Sequence, residues 1–380
     1  MSIEKSFRNA RIVLADEVVT GSLKIENGTI AAVDFGSSQT GEDFDGDFLV
    51  PGLVELHTDH LEGHFAPRPG VRWNAVAAVQ AHDAQIATSG ITTVFDCLRM
   101  GSEEEGGGFA PGEMRVLADA LESAGREGRL RAEHFIHLRC EVSSADVLQA
   151  FDQFRTDSRV RLASLMDHAP GQRQFQTMGQ YTLYHKTKRS LSDEAFQRYV
   201  ALRMEQSQLY SAPHREAIAA HCNAAGVTLA SHDDATLDHV GEAIGQGVRL
   251  AEFPTSIEAA RASHEAGMSV LMGAPNIVRG GSHSGNIAAK DLAREGILDV
   301  LSSDYIPFSL LHAAFQLSAE IETISLPKAI AMVTSTPART VGLADRGSIE
   351  TGKRADLVRV RFDQGVPVVR EVWREGARVA

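Results

Sequence analysis

The stretch VPGLVELHTDHLEGHFAPRPGVRW, residues 50–73, combines three histidines and three carboxylates with two arginines. Its short apolar run ends at His57-Thr58-Asp59, and positions 57 and 59 lie two residues apart, so both side chains project from the same side of a strand. Imidazole and carboxylate groups are ligands for divalent transition metals. The stretch therefore predicts the end of a strand that carries part of a metal site.

Other polar residues stand at or near the ends of later apolar runs. A site with two ions about 3.5–4 Å apart needs a carboxylate that bridges them and a base for the attacking water. We therefore predict a metal-dependent hydrolase centre in which Glu141 bridges the ions and Asp304 both ligates and takes the proton of water. The predicted ligand set is His57, Asp59, Glu141, His168, His232 and Asp304, of which Glu141 and Asp304 are also predicted to be catalytic.

Several neighbouring residues admit more than one interpretation. His60 and His64 directly follow the first run and could contact either substrate or metal. Asp233 could orient a ligand or cap a helix, whereas we expect Asp234 to be the helix N-cap. The other histidines that occur on helical stretches or inside runs are explained by packing or exposure; they are His82, His137, His214, His221, His239 and His264.

Three loops have the character of anion-binding sites; they are residues 65–73, 167–175 and 273–286. The last of them, GAPNIVRGGSHSGN, is predicted to connect the seventh run to a helix that starts near Ile287. Glycine-rich loops expose backbone N–H groups, and the same region often binds phosphate in barrels. A flexible surface connector is the alternative interpretation. The predicted substrate-binding residues of these loops and their surroundings are Arg68, Arg72, Arg139, Arg173, Lys186, Asn276, Arg279, Ser282 and His283.

Composition limits the classes of function. The formal net charge of −13 over 380 residues argues against nucleic-acid binding, so an anionic ligand must be met by local arginines. The longest apolar runs are too short to span a bilayer, and no apolar signal stretch opens the chain. Three cysteines without CxxC spacing argue against a disulfide framework and a thiolate zinc site. We expect a cytoplasmic protein that has no nucleic-acid or membrane partner.

The elements that must position these residues follow a repeating pattern. Eight apolar runs alternate with helical stretches, which is typical of an α/β protein with a (β/α)8 TIM-like barrel, and the candidate ligands stand at the ends where barrel enzymes place their chemistry. A doubly wound open sheet is the alternative, but no glycine-rich dinucleotide fingerprint follows the first run. The runs are residues 53–59, 91–96, 134–141, 160–168, 227–234, 249–255, 268–276 and 297–304.

Both ends of the chain show a different rhythm. Residues 11–34 and the stretch from Gly347 onward alternate short β-rich segments with turns. We expect them to pair into a small β-sandwich that flanks the barrel. The predicted domains are residues 1–50 plus 347–380 for this composite unit and residues 51–346 for the barrel.

The ligand set at strand ends, the split β unit and the string GSIETGKRADLV resemble the amidohydrolase superfamily of metal-dependent hydrolases. Two features depart from the wider superfamily. The first run ends His57-Thr58-Asp59 rather than His-X-His, and none of the eight runs carries a lysine that could bridge metals after carboxylation. Glu141 is the best candidate for that role, although it ends the third run rather than the fourth.

Longer strings, among them PRPGVRW, SLMDHAPGQRQF, ASHDDAT and LMGAPNIVRGGSHSGN, resemble a narrower family. Its members are the diphosphatases of α-D-ribose 1-methylphosphonate 5-triphosphate in the carbon-phosphorus lyase pathway. The resemblance implies a small phosphorylated sugar as substrate, two divalent ions as cofactor and release of diphosphate. The ligand types suit zinc, manganese or iron alike, and a homo-oligomer remains open.

Two other functions are kept as alternatives. One is hydrolysis of an amide, imide or amidine, or deamination, on a small anionic substrate by the same metal centre. The other is a catalytically inactive chain that serves as an assembly component. The second alternative predicts lost ligands, whereas the ligand set of this chain is intact.

Overall fold

The computed structural model describes residues 4–101, 109–110, 112–173, 192–282 and 286–380. Two eight-stranded sheets organise this part of the chain. The strands of the first sheet are β6 (Leu53–Thr58), β7 (Ile91–Met100), β8 (Glu133–Glu141), β9 (Val160–Met166), β10 (Thr228–His232), β11 (Leu250–Glu252), β12 (Ser269–Gly273) and β13 (Val300–Ser302).

This first sheet is a parallel barrel. Consecutive strands from β6 to β13 are neighbours and every ladder between them is parallel. A parallel bridge between Thr58 and Asp304 joins the last strand back to the first. Each of the eight runs recognised in the sequence overlaps one of these strands, so the predicted (β/α)8 barrel is confirmed.

The seam between β6 and β13 is held by a buried carboxylate. One oxygen of Glu55 accepts a hydrogen bond from the backbone N–H of His57 at 2.6 Å, and the other accepts one from the N–H of Ser303 at 2.5 Å. The backbone N–H of Asp304 also donates to the carbonyl of His57 at 3.1 Å. Burial raises the pKa of Glu55 to about 7. The seam brings the carboxyl ends of these two strands side by side.

Helices alternate with the barrel strands. The described helices are α1 (His60–Phe65), α2 (Ala75–Thr88), α3 (Glu113–Arg126), α4 (Val147–Asp152), α5 (Asp193–Ala225), α6 (Leu237–Gly245), α7 (Ile257–Glu265), α8 (Ala274–Arg279), α9 (Ala289–Glu295), α10 (Ser309–Glu320), α11 (Leu326–Ala331) and α12 (Ser335–Thr340). Within the described residues, no helix is both long enough and apolar enough to cross a bilayer.

Helix α2 shows how local sequence sets these elements. The Asn74 side chain accepts a hydrogen bond from the N–H of Ala77 at 3.0 Å and caps the start of the helix. Gly90 follows its end with φ +89°, the left-handed conformation that favours glycine. The buried face of α2 includes the polar residues His82 and Asp83 beside its apolar ones. This face therefore carries polar groups that need partners.

The second sheet unites the two ends of the chain. Its strands run in the order β16-β15-β14-β5-β1-β2-β3, with β4 paired to β1. Their bounds are β1 (Glu4–Val13), β2 (Val18–Glu26), β3 (Thr29–Phe35), β4 (Glu42–Asp43), β5 (Phe48–Pro51), β14 (Leu357–Asp363), β15 (Val366–Arg374) and β16 (Ala377–Arg378). The antiparallel ladder between β5 and β14 joins the N-terminal and C-terminal segments. The rings of Phe7, Phe44 and Trp373 pack together on this sheet. The predicted flanking β unit built from both ends is thus confirmed.

Candidate active site

Strand periodicity sorts the barrel interior into layers. Residues two apart on a strand face the same side, and one buried cluster combines Leu162 of β9, Ala230 of β10 and Leu250 of β11. One step further toward the carboxyl ends of the same strands stand Ser164, His232 and Glu252, all of them buried. The interior therefore changes from apolar to polar toward the end where the candidate site lies.

Three donor atoms converge at the end of β10. Nε2 of His168 lies 3.7 Å from Oδ2 of Asp233, and Nε2 of His232 lies 3.4 Å from the same oxygen. This Asp233 oxygen is buried and, within the described part of the chain, has no hydrogen-bond partner. Two ligands that share one ion at about 2.0–2.2 Å lie at comparable separations. The three side chains consequently fit a divalent metal.

The other nitrogens of both histidines face carboxylates. Nδ1 of His168 lies 2.6 Å from Oε2 of Glu141, and Nδ1 of His232 lies 3.1 Å from Oε2 of Glu252. A carboxylate on one ring nitrogen fixes the tautomer and aims the other nitrogen at a metal. Burial lowers the pKa of His232 to about 3, although Glu252 opposes that shift. His232 is therefore neutral near pH 7, which is the ligating form.

The contacts between carboxylates and histidines extend to the first barrel strand. Nδ1 of His57 lies 3.1 Å from Oε1 of Glu252, and the ring centroids of His57 and His232 are 5.6 Å apart. The hydroxyl of Ser164 donates to Oε2 of Glu252 at 2.7 Å, and His137 hydrogen-bonds the same hydroxyl. Glu252 thus links two predicted ligands that are far apart in the sequence.

Glu141 lies in a dense set of hydrogen bonds. Its Oε1 accepts from the backbone N–H of His168 at 3.1 Å, from the Ser143 hydroxyl, and from Nη2 of Arg203 at 3.3 Å. Arg203 belongs to α5, so this helix contributes to the site although its own sequence carries no ligand motif. The structure places Glu141 beside His168, and a role in bridging two metals stays a prediction.

Asp59 is paired with an arginine. Its Oδ2 lies 3.1 Å from Nη1 of Arg139, which projects from β8 into the barrel mouth. Burial raises the pKa of Asp233 to about 7, and the positive charge of Arg139 acts against that shift. Asp59 and Asp304 in turn stabilise the charge of Arg139. Arg139 is therefore close to Asp59, Asp304 and Asp233 alike.

Nε of Arg139 is a second unsatisfied group in the mouth. It is buried and, among the residues that the structure describes, has no hydrogen-bond partner. A buried guanidinium N–H without an acceptor is suited to an anion that arrives with the substrate. The predicted substrate role of Arg139 is therefore supported by an open donor.

Asp304 follows the end of β13 by two residues. It has φ +54°, and its carbonyl accepts hydrogen bonds from the Thr58 hydroxyl at 2.9 Å and from the Asp59 N–H at 3.3 Å. A non-glycine residue in this conformation persists only where the surrounding structure holds it. The seam therefore fixes Asp304 next to the strand end that carries His57 and Asp59.

Two residues of the site were missed by sequence reasoning. The sequence does not decide whether Asp233 orients a ligand or caps a helix, and it does not single out Glu252, which lies within an apolar run. The expected N-cap role of Asp234 is wrong, because Thr236 caps α6 through its side chain. Glu252 is the last residue of the buried strand β11, and a charged residue at that position is the signal that could have identified it.

Arg173 does not offer its guanidinium to the barrel mouth. It is 4% exposed, and its two terminal nitrogens hydrogen-bond carboxylate oxygens of Asp234 and Glu242. Because both terminal guanidinium nitrogens of Arg173 are engaged, this geometry does not support the predicted substrate-binding role. The pair instead ties the segment after β9 to the segment after β10.

Loss of this buried pair is expected to destabilise the fold. Asp234→Ala removes the buried carboxylate partner of Arg173 and leaves only the exposed Glu242, so the free energy of unfolding should fall by about 3 kcal/mol, the low end of the cost of breaking a buried pair. Asp291→Ala, which removes a carboxylate from an exposed pair with Arg294 on α9, should cost no more than about 1 kcal/mol. Urea denaturation followed by circular dichroism measures both. Equal stability of the two variants would contradict the structural role.

The glycine-rich stretch after β12 is partly helical. Residues 274–279 form α8 rather than a loop, and the next helix starts at Ala289, two residues after the predicted position. Asn276 uses both ends of its amide on the backbone: Oδ1 accepts from the Ala289 N–H at 3.0 Å and Nδ2 donates to the Ile287 carbonyl at 3.4 Å. These bonds join α8 to α9, and the contact of Asn276 with substrate stays a prediction.

The remaining predicted substrate residues occupy different surroundings. Arg279 is exposed at the end of α8, Ser282 is partly buried, and Arg68 is exposed in a turn that forms a bridge with Val71. Arg72 donates to Oε1 of Glu113 at 2.8 Å and stacks on Phe109, whose ring centroid is 4.9 Å away. The predictions for Lys186 and His283 lie outside the described residues.

Comparison with known proteins agrees with this architecture. A family model described as "Amidohydrolase family" matches residues 84–380. The chain is 47% identical over 374 residues to the α-D-ribose 1-methylphosphonate 5-triphosphate diphosphatase of Escherichia coli (strain K12), covering 98% of this chain and 99% of that protein.

Solved structures share the fold at low identity. The N-acetylglucosamine-6-phosphate deacetylase of Pasteurella multocida is 14% identical with a TM-score of 0.64, covering 98% of each chain. The corresponding enzyme of Mycobacterium smegmatis, a point mutant in complex with N-acetyl-D-glucosamine-6-phosphate, is 17% identical with a TM-score of 0.63 over 99% of each chain. The barrel, the flanking sheet and the family match together establish that the chain belongs to the amidohydrolase family.

Proposed function

We propose that this chain hydrolyses the α–β phosphoanhydride of α-D-ribose 1-methylphosphonate 5-triphosphate in phosphonate breakdown. The products are α-D-ribose 1-methylphosphonate 5-phosphate and diphosphate. The observation that carries the proposal is the 47% identity, over nearly the full length of both chains, to a diphosphatase of that name. Hydrolysis of this anhydride requires a water nucleophile, a base, and positive charge around the phosphates. The base and the positive charge have candidates in the barrel mouth, Asp304 and Arg139.

A metal centre is part of the proposal. His168, His232 and Asp233 would hold one ion, and His57, Asp59 and Asp304 of the predicted set would complete a site for a second. Imidazole and carboxylate donors, of which His57, His232 and Asp233 are buried, support this assignment, and they suit zinc, manganese or iron. When bound, such ions activate water and neutralise charge on phosphoryl oxygens.

The protein groups complete the reaction. Asp304 accepts the proton of the water that attacks the α-phosphorus. The bond between that phosphorus and the oxygen bridging to the β-phosphorus breaks, and the electron pair leaves with diphosphate. Glu141 and Glu252 hold the two histidines in one tautomer throughout the cycle. The fixed position of Asp304 at the β6–β13 seam favours this assignment.

Arg139 meets the charge of the triphosphate in this proposal. Its buried Nε is an open donor, and the guanidinium remains charged at all working pH values. Arg279, Arg68 and Ser282 are proposed as further contacts nearer the surface. This arrangement explains how an acidic chain with a net charge of −13 accommodates a highly anionic substrate.

Substitution of Arg139 by lysine tests this contact. Lysine keeps the charge beside Asp59 but removes the planar fork and the Nε donor, so KM should rise about tenfold, a loss of about 1.4 kcal/mol. The kcat should change less than KM does. Arg161→Lys, on the neighbouring strand β9 and over the ring of Phe135, is the matched control. An unchanged KM in Arg139→Lys would remove this residue from substrate binding.

Phosphorus NMR of metal-loaded protein tests the function itself. We expect diphosphate from α-D-ribose 1-methylphosphonate 5-triphosphate, little from ATP, and none after treatment with EDTA. Absence of diphosphate from folded, metal-filled protein would overturn the proposal. Release of ammonia or a carboxylate from an amide library by that protein would then favour the amide-hydrolase alternative.

We also propose that the reaction takes place in the cytoplasm. The three cysteines, Cys97, Cys140 and Cys222, are free and buried. Thiols without disulfide partners are typical of proteins from reducing compartments. The carbon-phosphorus lyase pathway implied by the resemblance supports the same compartment.

A further inference from the structure

A second histidine cluster lies outside the barrel interior, between α1 and α2. One ring nitrogen from each of His60, His64 and His82 falls within 4.8 Å of the corresponding nitrogens of the other two. His60 and His64 are four residues apart on α1 and therefore share one face of that helix. His82 is buried on the facing side of α2. Two helices thus present three imidazoles to one point.

The closest pair has the spacing of two ligands on one ion. Nδ1 of His60 lies 3.3 Å from Nδ1 of His82. Two nitrogens bound to zinc at about 2.0–2.1 Å with a tetrahedral angle lie about 3.3–3.4 Å apart. The pair therefore needs little movement to bind a metal.

The tautomer of His82 is set by a carboxylate behind it. Nε2 of His82 lies 2.6 Å from Oδ1 of Asp96, and Oδ2 of the same aspartate lies 2.7 Å from Nδ1 of His134. An ionised carboxylate can only accept, so the proton of a neutral His82 sits on Nε2 and its Nδ1 presents a lone pair toward His60. A carboxylate that backs a ligating histidine is the common partner arrangement of metal sites.

His64 supplies the third donor. Its Nε2 is buried and has no hydrogen-bond partner within the described residues. The ring centroids of His60 and His64 are 4.7 Å apart, and those of His64 and His82 are 6.1 Å apart. An imidazole nitrogen that is shielded from water and unpaired gains most from a cation.

We propose that His60, His64 and His82 form a mononuclear site for a divalent transition metal, separate from the centre in the barrel mouth. Zinc-type ions that prefer nitrogen ligands in tetrahedral geometry match three imidazoles, with water as the fourth ligand. The ion clamps α1 against α2. Because α1 begins directly after Asp59, the clamp also fixes the backbone that leaves the first barrel strand. This proposal does not depend on the proposed function.

Cobalt is the probe for this site, because its binding is counted by elemental analysis and its visible spectrum reports geometry. Chelator-treated protein is titrated with Co²⁺ and freed of excess metal. Wild type and the control His312→Ala, on α10, should bind one equivalent more than His64→Ala. His168→Ala, altered in the barrel mouth, should keep the equivalent that His64→Ala loses. Equal cobalt content of folded His64→Ala and wild type would overturn the proposal.

A crystallographic measurement removes the dependence on a variant that folds. Anomalous diffraction from cobalt-loaded wild-type crystals should show a peak within about 2.0–2.2 Å of a nitrogen of each histidine. A peak in the barrel mouth without one between α1 and α2 would show that the three imidazoles form a hydrogen-bonded cluster only, and would overturn the site. Absence of the peak between α1 and α2 would not bear on the diphosphatase assay, which tests the proposed function separately.

Discussion

Replacement of Asp304 by asparagine is expected to lower kcat by about 10²–10⁴-fold, the contribution that a positioned general base makes. Asparagine has nearly the same shape, and the backbone contacts that hold residue 304 at the seam do not involve its carboxylate. The position of the residue should therefore persist while its capacity to take a proton is lost. Metal content should fall only modestly, since His168, His232 and Asp233 are untouched.

Steady-state rates and elemental analysis on the same preparations measure the two effects separately. Asp291→Asn, which removes the charge of an exposed aspartate on α9, is the matched control and should keep wild-type turnover. Wild-type turnover in Asp304→Asn would overturn its assignment as the base. A complete loss of metal together with activity would show that Asp304 acts chiefly as a ligand.

Replacement of Asp233 by asparagine is expected to weaken metal binding strongly. The amide keeps the size of the side chain but removes the negative charge that lies between the two imidazoles at 3.4 and 3.7 Å. Loss of an outer orienting partner costs about 10–100-fold in metal affinity, and loss of a directly ligating carboxylate should cost more. Turnover at limiting metal should fall in parallel.

Competition with a chromophoric chelator measures the affinity of each variant. Asp152→Asn, on the exposed side of α4, should bind metal as the wild type does. Glu252→Gln provides a graded comparison, because it removes an orienting partner of His232 but no proposed ligand of the first ion. If Asp233→Asn bound metal as tightly as wild type, the centre would have to be built without Asp233.

The barrel could be predicted from the sequence because its strands are short, apolar and separated by helices of regular period. Most of the runs end in a polar residue that an apolar strand does not need, so the runs also indicated which end carries the chemistry. Strand pairing across the chain was less accessible. The ladder between β5 and β14 involves residues such as Val50 and Val358, whose alternating pattern fits many partners. The division at residues 50/51 and 346/347 stays a prediction.

The sequence predicted the candidate ligands of the site but not the residues that orient them. His168 and His232 converge as expected, because parallel strands of a barrel end at one face. The partners of Arg173 and Asn276 could not be deduced, since an arginine or asparagine in a glycine-rich segment looks the same whether it meets a ligand or its own fold. His82 and His137 were assigned to packing, yet each joins a buried polar network whose members are far apart in sequence.

The sheet shared by both chain ends has a consequence for the order of events during synthesis. Strand β5 emerges from the ribosome early, but its antiparallel partner β14 follows roughly 300 residues later, about 15–60 s at ordinary elongation rates. During that interval the barrel strands can already assemble, while the edge of β5 that β14 will cover remains an unpaired template. The flanking sheet is therefore completed last. Chains released before Leu357 would carry that open edge, and so we expect premature termination to yield aggregates rather than isolated barrels.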